Sequence, residues 1–572
     1  MHIDFIPNRG SAPTVLLRES FREGARVCKR TLANLSSLSA SQIAIIRAAL
    51  RGEPMAPVSQ TFEITRSRPH GHVQAVALAM RRLGMSALLG VRSCPERERV
   101  LALIAARIIE PCPKLATARW WHASTLAEDF GVADADEDDL YAAMDWLLER
   151  QDAIQKKLAG RHLQEDGLVL YDLSSSYFEG VTCPLARRGY SRDGKRGSLQ
   201  VNYGLLADAR GCPVAVSVHA GNTSDSLTFM PAVHQLRDQL GVQRVVMVGD
   251  RGMVSAKAIA ELREMDGMGW ITALKSVSIR ALVEGGVLQM DLFDEHNLLE
   301  FSSPADYPDY PGERLVACRN PALAQLRAHK REDLLAATER SLDKIRARVE
   351  AGRLTGADEI GLRVGQVINQ YQVAKHFELS ITQTTLSWSR RADAIAAEAA
   401  LDGLYIIRTS LKTEQMDAPQ CVRSYKSLAQ VERAFRSIKT MDLKVRPIHH
   451  RLENRVRAHI FLCMLAYYVE WHMREAWREL MFADTEQESK ATRDPVAPAK
   501  RSDSAQAKAT THHLPDGAPA HSWRTLMQEL ATLASNTCRA PNAGPDAASF
   551  EITTQANATQ QKALDLIQAI HL

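Results

Sequence analysis

The chain has 572 residues, with 71 Lys and Arg against 67 Asp and Glu and a net charge of +4. That length exceeds what one hydrophobic core organises and implies two to four domains. So small a net charge neither demands nor excludes nucleic acid, and the distribution of charge along the chain has to decide.

Nine cysteines form an odd set without CxxC or Cys/His zinc spacing, which suggests neither a disulfide framework nor a structural metal and fits reduced thiols in a cytosol. The start, MHIDFIPNRG, has no apolar leader core, and the longest apolar run, Ile460 to Val469, is too short to span a bilayer. No targeting segment or membrane anchor is expected.

Residues 1–52 read as a small N-terminal module: β-like pieces HIDFI and TVLLRESF, then a basic run from Arg22 to Arg30, then an amphipathic helix from Ser41 to Arg51. Arg22, Arg26, Lys29 and Arg30 suit either phosphate contact or a solvated surface. Residues 53–164 are almost wholly helical in pattern, with an acidic patch at Asp134 to Asp139 that caps the next helix.

The character changes at residues 165–275. The apolar run Leu168 to Tyr171 ends in Asp172, and two further β-rich runs follow, Val201 to Asp208 and Pro213 to His219. GNTSDS then starts a helix, Leu227 to Leu240, and the strand RVVMVGD ends at Asp250. A helix from about Ser255 and a strand from Trp270 to Leu274 give the order βββαβαβ. A meander followed by a crossover helix returns the fourth strand parallel to the first, so Asp172 and Asp250 are expected on neighbouring strands. Two ionised acids at close range need a cation or a shared proton, and hard oxygen ligands suit Mg²⁺ or Mn²⁺.

Between the first two of these strands, ARRGYSRDGKRG carries Arg187, Arg188, Arg192, Lys195 and Arg196 against one acid. It reads either as a clamp on a nucleic-acid backbone or as a solvated hairpin tip. Residues 276–402 depart from the α/β pattern and are expected to form a β-rich insertion that also holds a long charged helix, Ala322 to Ala351. Residues 403–482 return to the core. They include YKSLAQVERAFRSIK, where Leu428, Val431, Phe435 and Ile438 mark a buried helical face and Tyr425, Glu432, Arg436 and Lys439 the other. A carboxylate among cations suits an anionic substrate with a metal ion; an i,i+4 pair on a solvated face is the alternative. An apolar helix follows and is expected to pack on the sheet. Residues 483–572 read as a partly disordered tail with short helices, one at Ser522 to Ala534.

This order of strands, with acids on the first and fourth and a third on a later helix, resembles the ribonuclease H-like fold of DDE transposases. Tyr425, Glu432 and Lys439 keep the spacing of the Tyr-Arg-Glu-Lys signature of cut-and-paste insertion-sequence transposases. YDLSSSYF, GNTSDS, GDRGMVS and LDGLYIIRTS are similar to other pieces of that family, over roughly residues 165–475. One position departs: the family's Arg falls on Leu428, which leaves Arg436 as the favoured substitute on the same face.

The resemblance implies an α/β protein with a ribonuclease H-like mixed sheet, a β-rich insertion and an N-terminal DNA-binding region. It further implies catalytic, metal-binding roles for Asp172, Asp250 and Glu432 with Mg²⁺ or, as a substitute, Mn²⁺. Tyr425, Arg436, Lys439, the loop cations from Arg187 to Arg196 and Arg251 would contact DNA. The expected activity is binding of inverted-repeat ends, cleavage, and joining of the 3′-OH to target DNA by a homodimer in a bacterial, nucleoid-associated cytoplasmic setting. A related nuclease of the same fold, or a domesticated DNA-binding protein, are the alternatives.

Overall fold

The computed structural model describes residues 1–53, 61–195, 197–288, 293–301, 309–488, 493–541, 544 and 546–572. Its strands in chain order are β1 (His2–Asn8), β2 (Ser11–Glu23), β3 (Arg26–Asn34), β4 (Glu63–Pro69), β5 (Gly167–Tyr177), β6 (Gln200–Asp208), β7 (Pro213–Ala220), β8 (Val245–Gly249), β9 (Met268–Ala273), β10 (Leu298–Phe301), β11 (Arg314–Arg319), β12 (Phe377–Ile381), β13 (Leu386–Arg390), β14 (Leu404–Thr409), β15 (Ala534–Arg539) and β16 (Ser549–Thr553). They belong to two compact units, one of Met1–Arg68 with Ala534–Thr554 and the other of Pro69–Leu533 with Gln555–Leu572.

In the first unit, β1, β2 and β3 form an antiparallel sheet. Ile3, Val15 and Ile43 make its small core against the helix Ala40–Leu50, whose start is held by a reciprocal Ser39–Gln42 capping box. The basic run from Arg22 to Arg30 becomes the end of β2, the β2–β3 turn and the start of β3, with Arg22 and Arg26 exposed. A second sheet has the order β16-β15-β4. Its central strand β15 and edge strand β16 come from the tail expected to be partly disordered, and they join β4, a strand from the other end of the chain.

The second unit is built on one eight-stranded sheet of order β10-β11-β14-β9-β8-β5-β6-β7. β5, β6 and β7 form an antiparallel meander, β8 runs parallel to β5, and β9 runs parallel to β8. β14, β11 and β10 extend it with antiparallel pairs. Every residue of β6 is buried, as expected of a strand covered on both faces.

The helix Glu453–Ala476 packs on β7 and on the helices Pro95–Ile109 and Glu137–Leu148. It is buried on all sides from Ala458 to Met473, and its apolar run Ile460 to Val469 belongs inside a protein for that reason. The helices of residues 71–162 therefore share the core of the sheet. Among the described residues no helix is long and apolar enough to cross a membrane.

Two expectations need correction. The insertion is more helical than β-rich, because β10 and β11 join the main sheet. The remainder is a small core made by the helices Pro321–Glu350 and Ala357–Ile368 with the hairpin β12–β13. Residues 302–308 of the insertion lie outside the described residues. The tail also contains the helices Asp503–Thr511, Trp523–Ala531 and Ala558–Gln568, the last two packed on the helix Gly71–Arg82.

Candidate active site

Parallel pairing of β5 with β8 matches Tyr171 to Gly249, so the next residues in register are Asp172 and Asp250. Tyr171 helps to orient this level of the sheet. Its ring lies over Gly204 of β6, where an added Cβ would sit 2.3 Å from the hydroxyl, and the hydroxyl donates to the Thr228 carbonyl at 3.3 Å. Successive residues of a strand face opposite sides, so Asp172 is turned the other way.

Glu432 reaches the same place from the helix Leu428–Arg436, which packs on β5 through the face carrying Val431, Ala434 and Phe435. Phe435 meets Tyr203 of β6 edge-on, with ring centres 5.7 Å apart. Asp172, Asp250 and Glu432 together line one open cavity of about 460 Å³.

Their mutual effect is visible at Asp172. Burial pushes its carboxyl up to about 7, and the negative charges of Asp250 and Glu432 push the same way. The Leu173 N–H, 2.8 Å from Oδ1, and the Arg192 cation oppose this. Asp250 is exposed; it accepts from the Gly252 N–H at 3.4 Å and from the Tyr425 hydroxyl at 3.2 Å. A buried carboxyl whose proton is favoured by burial and by two neighbouring acids is one at which a cation can replace that proton. The donors are hard oxygens, which suits a small divalent cation.

The cations take different places. Tyr425 lies on a separate helix, Ala418–Lys426, and its hydroxyl is bonded to Asp250. The Glu432 helix continues in a wider π-helical turn, Ser437–Met441, which carries Lys439 inward. Lys439 is buried, ion-paired with Asp193 at 2.5 Å and within 3.2 Å of the Ser174 hydroxyl. Arg436 stays exposed and lines the cavity, and Leu428 packs against the core.

The basic loop is not a free hairpin tip. The Tyr177 N–H donates to Asp193 at 2.9 Å, and the Arg192 N–H donates to the Ser175 hydroxyl at 3.1 Å. Arg192 is paired with Asp225 and lines the cavity. Lys195 lies over the Tyr177 ring, 5.5 Å from its centre, in an adjoining hollow. Arg187, Arg188 and Arg251 are exposed and do not line the carboxylate cavity. Arg196 lies outside the described residues.

Sequence reasoning missed Asp193, Asp225 and Arg446. Asp193 is the lone acid of the basic loop, and its side chain, 1% exposed, pairs with both Lys439 and Arg446. A single acid inside a cationic run was the available signal. The linear spacing also hid a group of possible metal ligands elsewhere: His162, Cys212 and His472 have ligand atoms within 4.8 Å of one another. There the His162 Nε2 is bonded to the Tyr468 hydroxyl at 3.0 Å, and the Cys212 sulfur lies 3.8 Å from His472 Nε2.

A family model described as the transposase DDE domain matches residues 178–469. None of the curated proteins compared with the chain matches it. Among solved structures, the cryo-EM structure of a piggyBac transposase synaptic complex with hairpin DNA is similar at 8% sequence identity and a TM-score of 0.33. The match covers 80% of this chain and 77% of that one.

Proposed function

The chain belongs to the transposase DDE domain family, and we propose that it binds the inverted-repeat ends of its own insertion sequence, cleaves them, and joins the freed 3′-OH to target DNA. The observation that carries this reading is the shared cavity of Asp172, Asp250 and Glu432, with the Asp172 carboxyl raised to about 7 by burial and by the other two. The parallel β5–β8 pair beside an antiparallel meander supports a ribonuclease H-like core.

Asp172, Asp250 and Glu432 would hold divalent cations, Mg²⁺ or Mn²⁺, which when bound supply a lower pKa for the attacking water or 3′-OH and charge compensation for the leaving oxygen. The protein's own groups prepare that place. The Leu173 N–H steadies one oxygen of Asp172, and the Tyr425 hydroxyl steadies one oxygen of Asp250. Arg436, open on the cavity wall, is positioned to meet a phosphate beside the carboxylates. Lys439, held by its pair with Asp193, lines the same cavity and would meet the phosphate beside Arg436. Arg187, Arg188, Arg192, Lys195, Arg196 and Arg251 would follow the DNA backbone leading to the site. Two copies of the chain, each holding one end, would make the working dimer, in the bacterial cytoplasm.

The experiment uses the full chain with a plasmid carrying the flanking inverted repeats. Asp172→Asn, Asp250→Asn and Glu432→Gln should each abolish divalent-dependent cleavage while end binding persists. Cleavage that survives any one of them overturns the assignment of that residue.

A further inference from the structure

A second cavity, of about 560 Å³, opens on the other side of Arg446, among the helices Pro95–Ile109, Glu137–Leu148 and Glu453–Ala476 and the segment 444–452. Six cations line it and, among the described lining residues, no carboxylate does. Two of these cations are deeply buried: Lys114 is 3% exposed and Arg107 is 6% exposed.

Neither has an acid to answer it. Arg107 reaches only backbone carbonyls, of Cys112 at 3.2 Å and Leu443 at 3.5 Å. The Lys114 ammonium lies 3.0 Å from His459 Nδ1. His459 Nε2 lies 3.1 Å from the Val445 carbonyl, which can only accept, so Nε2 carries the ring proton and Nδ1 accepts from Lys114. That leaves two Lys114 hydrogens without an acceptor among the described residues. At the mouth, the buried Nε of Arg455 also has no acceptor. Arg455 has Asp145 at 3.8 Å and Arg446 has Asp193, but no carboxylate is set against the more deeply buried Lys114 and Arg107, and a charge buried without an opposite one is costly.

We propose that this cavity is an anion site that takes a phosphate group of the DNA strand passing Arg446, a role that rests on the transposase reading above. The arginine forks match phosphate oxygens, and the volume exceeds what a bare inorganic anion fills. The walls suit a nucleotide. The Tyr141 and His450 rings stand edge to face with centres 6.1 Å apart, and Arg455 covers Tyr141 at 4.2 Å. Arg446 lines both this cavity and the carboxylate cavity, so a strand lying in one is led towards the other.

The surplus charge is reflected in its neighbours. His450 is pushed down to about 3 by burial and by the Lys114 and Arg107 cations, and Lys114 itself falls to about 7 through burial and Arg107. The other groups facing Lys114 are His459 and the thiols of Cys112 and Cys463. A phosphate arriving beside Lys114 raises its pKa again, so binding near pH 8 takes up protons.

The test is calorimetry on the full chain at about pH 8, in two buffers of different ionisation heat, with inorganic phosphate, thymidine 5′-monophosphate and a short single-stranded oligonucleotide as probes. Wild-type protein should bind the oligonucleotide with proton uptake. Lys114→Met should lose both the uptake and about tenfold or more in affinity, and Arg455→Gln, a milder change at the mouth, should lose several-fold. Equal affinity for all three probes would reassign the cavity to free phosphate and overturn the strand as its source. Binding without proton uptake, or unchanged in Arg455→Gln and Lys114→Met, would show Lys114 to be only a structural partner of His459. Failure of wild-type protein to broaden the ³¹P signal of any probe would overturn the site without relying on a variant. Divalent-dependent cleavage of element ends, measured alongside, reports separately on the transposase reading.

Discussion

Replacing Asp172 by Asn should stabilise the cation-free protein at alkaline pH while removing its response to divalent cations. Asp172 is raised from 3.8 to about 7 by burial and by its acidic neighbours. Between about pH 4 and pH 7 the folded chain therefore holds a proton that the unfolded chain has released. Stability drains away as pH rises through that window and the full cost is present above it. Roughly three pH units at about 1.4 kcal/mol each give about 4 kcal/mol. Because the carboxyl opens onto a solvent-filled cavity, screening reduces this to about 2 to 4 kcal/mol. The neutral amide of Asn removes that cost. Melting temperatures measured with a chelator should favour Asp172→Asn by a few degrees near pH 8, and the difference should vanish near pH 4. Added Mn²⁺ should raise the melting temperature of the wild type and leave the variant almost unmoved. A variant that melts below wild type at pH 8, or that gains as much from Mn²⁺, would refute the burial of a carboxyl beside two other acids as the cause.

Tyr425→Phe removes the 3.2 Å hydrogen bond to Asp250 and nothing from the core; the divalent cation concentration for half-maximal cleavage should rise several-fold, about 1 kcal/mol, with the melting temperature unchanged. Arg436→Ala should weaken retention of cleaved ends with little change in melting temperature, because Arg436 is exposed. Lys439→Ala should also lower the melting temperature, since it strands the buried Asp193 beside Arg446 alone; comparison of the two separates the phosphate contact from the structural pair. Arg22→Ala with Arg26→Ala, exposed on the strands that flank the β2–β3 turn, should reduce the salt dependence of end binding by about one unit of slope per cation in contact with a phosphate. A fragment ending near residue 160 is no test of end recognition, because β15 and β16 belong to the first unit and the helices of residues 71–162 to the core of the second.

The order of β5 to β9 was legible because each strand is a short apolar run bounded by turn residues, and because a crossover helix constrains the strand that follows it. Asp172 and Asp250 thus came together on paper, and the apolar spacing of Val431 and Phe435 indicated which face of the helix would leave Glu432 exposed. Local pattern carries no such information about Asp193, whose partners Lys439 and Arg446 lie far along the chain and are recognised only once the basic loop is folded onto the end of β5. The inward turn of Lys439 depends on a π-helical step that helical periodicity does not anticipate. The sheet of β4, β15 and β16 joins the two ends of the chain, and the cavity around Lys114 is walled by helices from two distant segments. Periodicity records which side of an element is buried. The partner that buries it, and the charges that meet there, are set by long-range packing, and for this protein only the tertiary structure decided them.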